Sequence, residues 1–83
     1  MTTEKLNKIE KRLNGLIARR EFFRSAGAGE AAMATTAEVQ GTVDTLADFD
    51  YKVEPTGESR LAYFHCGAVV TFNPVRIVKK GEA

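Results

Sequence analysis

Only one histidine and one cysteine occur in the 83 residues, and they are neighbours, His65 and Cys66. These two types can supply the base and nucleophile of a thiol dyad, or two of the four ligands of a tetrahedral zinc site. The run Arg60 to Cys66 predicts a strand, on which adjacent side chains point to opposite faces and cannot share a proton. A single chain with one of each has too few ligands for zinc, and one cysteine closes no intramolecular disulfide. One of the pair is expected to fill space in the core while the other lies on the open sheet face.

Asp44, Asp48, Asp50 and Glu54 are the other residues that suggest chemistry, as an acid–base or divalent-cation cluster. From Asp48 onward the apolar residues Phe49, Tyr51 and Val53 alternate with Asp48, Asp50, Lys52 and Glu54. That period of two puts the acids on the solvated face of a half-buried strand, and no loop with calcium-site spacing surrounds them. Gly27-Ala28-Gly29-Glu30-Ala31-Ala32 matches the letters of a dinucleotide-binding turn. That turn must follow a strand, whereas here a helix precedes it, and Glu30 repels phosphate. The glycines are expected to end that helix. We therefore expect no catalytic, cofactor-binding or metal-ligating residue, and a protein that is not an enzyme.

The elements that position these residues begin with a strong helical signal. Leu6, Ile9, Leu13, Leu16 and Phe23 recur at steps of three and four, interrupted by Arg20, as in the seam of an amphipathic or coiled-coil-like helix. The helix is placed at about residues 3–25 within a basic amphipathic segment, 1–25. Thr2 or Thr3 is its cap, and Glu4 and Lys8 form an i, i+4 pair. Gly15 costs about 1 kcal/mol of local propensity relative to alanine without breaking the pattern. Phe22 widens the seam that Phe23 continues. Its apolar positions are expected to serve packing or dimerisation.

A second helix is expected at about 30–47, packed antiparallel on the first, from the stripe Ala32, Thr36, Val39, Val43 and Leu46. Its Thr- and Val-rich half suits a strand better, so a strand over 36–45 is the alternative. Residues 48–79 read as an antiparallel β meander. Pro55 to Ser59 turns the first strand back onto Arg60 to Cys66, Gly67 precedes a strand over 68–72, and Asn73-Pro74 turns again into Val75 to Val78. Residues 80–83 are expected to form a flexible tail. The fold class is α+β, a single domain with an N-terminal helix or helical hairpin on a three- to four-stranded antiparallel sheet.

Charge is segregated, although the net value is only +1. Residues 1–25 carry seven basic groups against Glu4, Glu10 and Glu21, while residues 26–55 carry six acids against Lys52 alone. Such segments can neutralise one another within the fold or across a dimer. Hydrophobic content of 43% with 28% charged residues suits a folded chain rather than a disordered one. No segment approaches the roughly 20 apolar residues of a membrane span, and no secretory signal opens the chain. A reduced, cytoplasmic location is expected.

These observations point to a small non-catalytic protein-binding factor, an inhibitor or accessory protein of phage or bacterial type, acting as a homodimer on the surface of a partner protein. Its contact surface is expected at the acidic strand face, Asp48, Asp50 and Glu54, with Tyr51 and Tyr63. The alternative is a nucleic-acid-binding regulator that lays Lys5, Lys8, Arg12 and Arg19 along phosphates, a reading that the interleaved Glu10 and Glu21 weaken.

Overall fold

The computed structural model describes residues 1–81 and contains two helices, α1 (Thr3–Ser25) and α2 (Gly29–Asp48), followed by four strands. The strands are β1 (Tyr51–Pro55), β2 (Arg60–Tyr63), β3 (Val69–Phe72) and β4 (Val75–Lys79). The helices form a hairpin and pack against the antiparallel strands, as the α+β reading expects.

Local chemistry sets the ends of the hairpin. Thr2 Oγ1 accepts the Lys5 N–H at 3.2 Å and caps α1. At the other end Ala28 N–H donates to the Phe23 carbonyl at 2.9 Å and Gly27 N–H to the Arg24 carbonyl at 3.2 Å. That Schellman closure requires a left-handed residue, and Gly27 supplies it at φ 74°. The helix runs through the segment for which a strand was the alternative. Thr35, Thr36, Thr42 and Thr45 each donate their hydroxyl to the carbonyl four residues back, so threonine-rich sequence is accommodated without leaving the helix. Thr35 takes the buried position that the spacing assigned to Thr36, which is exposed.

Packing consumes the seam of α1. Leu13 and Leu16 are buried, while Leu6, Ile9 and Phe23 are half-buried. Ile17 and Ala18, outside the expected stripe, are buried too, because α1 is covered on two sides, by α2 and by β3 and β4. Arg20 stays on the seam and snorkels. Its Nε is buried and lies 3.6 Å from Glu21 Oε1, an ionic contact too long for a hydrogen bond.

The strands do not form a meander. β1 pairs with β4, from Tyr51 opposite Lys79 to Pro55 opposite Val75, and β2 pairs with β3 inside them, from Arg60 opposite Phe72 to Tyr63 opposite Val69. The result is one long β-hairpin interrupted where residues 56–59 face residues 73–74. Pro55 to Ser59 therefore does not turn the chain back. Thr56 donates both its N–H (3.1 Å) and its hydroxyl (3.3 Å) to the Pro74 carbonyl, and the Ser59 hydroxyl lies 3.1 Å from Asn73 Oδ1, so the interruption is bridged rather than reversed. Both prolines sit where the ladder breaks, as their missing N–H demands. The single reversal is Phe64 to Gly67, closed by Gly67 N–H to the Phe64 carbonyl at 2.9 Å with Gly67 at φ 89°.

Side chains of α1 secure this hairpin. Glu10 Oε1 accepts the Ile77 N–H at 2.8 Å; Asn14 Oδ1 accepts the Val75 N–H at 2.7 Å, and its Nδ2 donates to the Val75 carbonyl at 3.0 Å. Four residues of helix advance about 6 Å, close to the 6.4–6.8 Å of two strand residues, so an i, i+4 pair matches an i, i+2 edge. At the far end Phe22 stacks on Phe64, with ring centroids 4.5 Å apart. At the base, Lys80 N–H donates to the Asp50 carbonyl at 2.8 Å, which ties the first residue of the expected tail; residues 82–83 of that tail lie outside the described residues.

Asn14→Ala strips the part-buried Val75 of two hydrogen bonds and is expected to lower stability by about 1–3 kcal/mol in urea unfolding. Gly15→Ala should act oppositely. A Cβ there meets nothing within 4 Å, so the substitution should raise stability by up to about 1 kcal/mol in the same assay.

Candidate functional site

The residues with chemical potential are not brought together. His65 and Cys66 lie in the tight turn at the tip of the hairpin, not on a strand, and both are exposed. Neither fills the core as expected, because the chain reverses through them. Among the described residues no group of three or more His, Cys, Asp or Glu side chains is placed to hold a metal ion. Open grooves of about 160 Å³ (Met1, Ile9, Arg12, Thr42, Thr45, Leu46) and about 480 Å³ (Arg24, Ala32, Met33, Thr36, Ala37, Gln40) follow the line between α1 and α2. Neither contains His65, Cys66 or a carboxylate.

The expected acidic strand face is dispersed. Asp48 closes α2, Phe49 is its exposed C-cap, and the strand begins only at Tyr51. Asp50 turns the chain from helix into strand at φ 64°, a left-handed conformation that aspartate tolerates better than bulkier residues. Its carbonyl then receives Lys80 N–H, so a backbone role accounts for it. Glu54 is directly opposite Arg76 across the ladder and pairs with it at 2.8 Å. Tyr51 is half-buried in the β1–β4 ladder, whereas Tyr63 stands on the β2–β3 ladder, 75% exposed.

Tyr63 has companions that the expected contact set did not include. Leu61 and Val69 are 56% and 49% exposed, and the register puts Tyr63 opposite Val69 and Leu61 opposite Thr71. These four share one face of the ribbon; Val70, on the other, is buried against α1. The signal lay in Leu61 to Phe64 carrying large groups at alternate as well as successive positions, but only the pairing shows which of them face outward.

The basic residues of α1 do share a face. Lys5, Lys8, Arg12 and Arg19 are all exposed, and the steps of three, four and seven between them keep them on one side of the helix. No helix among the described residues is long and apolar enough to cross a membrane. Comparison with protein-family models, with curated proteins and with solved structures finds no match to this chain.

If Asp50 serves the backbone, Asp50→Gly should keep or raise the melting temperature, whereas Asp50→Val should cost about 1–2 kcal/mol, measured by thermal unfolding.

Proposed function

We propose that this protein is a small non-catalytic protein-binding factor, of the inhibitor or accessory kind, that acts by occupying a partner protein's surface. The observation that carries this reading is the outer face of the β2–β3 ribbon, where Leu61, Tyr63 and Val69 expose contiguous apolar area in an 83-residue chain with little to spare. The backbone supports it. Phe64 N–H donates to the Ala68 carbonyl, and antiparallel alternation then turns the N–H and C=O of Leu61 and Tyr63 away from β3, toward the open edge of the two-stranded ladder. The same two residues thus offer both side chains and unpaired main chain. An edge strand of this kind accepts an added strand.

The partner that fits is an extended protein segment with apolar side chains. A second copy of the chain meets the same demand, because two β2 strands paired antiparallel about Ala62 set each Tyr63 opposite the partner's Leu61. That pairing supports the homodimer reading. Leu13 and Leu16 of the α1 seam are buried within the chain and Leu6, Ile9 and Phe23 are half-buried, so the seam offers a second copy less apolar surface than the β2–β3 face does. The exposed, unpaired thiol of Cys66 suits a reducing compartment such as the cytoplasm.

The test is a Leu61→Lys, Tyr63→Lys double variant, compared with the native chain by light scattering and by capture from nuclease-treated lysate. A mass of twice 9.1 kDa, or a stoichiometric captured protein, is expected for the native chain and should be lost in the variant. Capture and mass that are unchanged in the variant overturn the reading.

A further inference from the structure

We infer that the solvent face of α1 is a contact surface for the phosphate backbone of duplex nucleic acid, separate from the β2–β3 face. Lys5, Lys8, Arg12, Gly15 and Arg19 follow one another at alternating steps of three and four, and all five are exposed. The stripe is about 21 Å long at 1.5 Å per residue. Lys5, Arg12 and Arg19 make no ion pair among the described residues, and Lys8 has only Glu4 at 3.9 Å, with both side chains largely in solvent.

The sequence places Glu10 and Glu21 among these cations, and the structure removes both from the stripe. Glu10 is turned to the other side of α1, where it accepts the Ile77 N–H, and Glu21 is held by Arg24 at 3.0 Å and Arg20 at 3.6 Å. What remains on the solvent face is a row of cations whose only acidic neighbour along the helix is Glu4. At its middle Gly15 leaves a notch between Arg12 and Arg19 that the chain's own packing does not require, since a Cβ there would meet nothing within 4 Å. A rigid polyanion can approach the helix closely at that point.

The composition of the stripe selects the occupant. It contains no aromatic side chain on which unpaired bases would stack, so it suits a duplex rather than a single strand. It contains no asparagine or glutamine, and its cations lie along the helix rather than at its tip, so it follows phosphates and does not read base edges. Binding is therefore independent of sequence and strongly dependent on salt.

The experiment is fluorescence anisotropy of a labelled 20-base-pair DNA duplex titrated with the full chain at 50 and 200 mM NaCl. With three to four phosphates neutralised, affinity should fall roughly 40- to 150-fold between those concentrations. The exposed-site variant Lys8→Gln, Arg12→Gln, Arg19→Gln should bind at least about ten-fold more weakly at 50 mM salt, with a flatter salt slope, at an unchanged circular dichroism spectrum. Gly15→Glu, which places a carboxylate in the notch without a steric clash, should weaken binding in the same direction and guards against a misfolded triple variant. The inference is overturned by no saturation at 100 μM protein in 50 mM salt, by equal affinity of the variants, or by tighter binding to a 20-nucleotide single strand. It is also overturned by equal binding to polyglutamate, which would assign the stripe to an acidic protein.

Discussion

The fold depends on α1 completing the β4 edge with two side chains. A two-stranded ribbon has two edges of unpaired backbone groups and is marginal by itself in water. Here Asn14 makes the pair of hydrogen bonds that another strand would make to Val75, and Glu10 takes the next outward N–H at Ile77. A helix thereby acts as a third strand along one edge. The match works because one helical turn and two strand residues advance by nearly the same distance. It fixes the register of the hairpin against α1, and with it which of its side chains are buried.

That constraint orders the surface. The groups of α1 that touch the hairpin are polar at Glu10 and Asn14 and apolar at Phe22, and the same helix packs on α2, so a single helix is the centre of the molecule. Withdrawing Glu10 to the sheet leaves the solvent face of α1 basic. Fixing Val70 and Phe64 against α1 turns Leu61, Tyr63 and Val69 outward. A basic helix face and an apolar ribbon face are therefore consequences of one packing arrangement, and each presents a different chemistry to the surroundings.

Much of the architecture was legible in the chain. The first helix, a threonine cap at Thr2 or Thr3, the glycine stop and the division into helices first and strands second follow from periodicity and capping, which are local, whereas the second helix is favoured over a strand at 36–45 without being decided. The strand pairing was not. Pro55-Thr56-Gly57-Glu58-Ser59 has the composition of a hairpin turn, but turn composition does not distinguish a reversal from a bridged interruption. Only the cross-strand contacts of Thr56 and Ser59 with Pro74 and Asn73 decide it. The acidic surface failed for a related reason. Alternation from Asp48 to Glu54 spans a helix end, a left-handed residue and a strand, and the period of two is a coincidence across that boundary.

By itself the sequence determined the first helix, the α+β class and the row of Lys5, Lys8, Arg12 and Arg19 along one side of α1, because these rest on interactions within a few residues of each other. Tertiary structure alone decided that β1 meets β4, that Glu10 and Asn14 serve as backbone partners, and that Tyr63 rather than Tyr51 faces solvent. The first two of those outcomes join groups 20 to 67 residues apart, from Pro55 opposite Val75 to Glu10 with Ile77, and the third follows from how the hairpin lies on α1; all are set by packing and hydrogen-bond satisfaction and have no signature in local spacing.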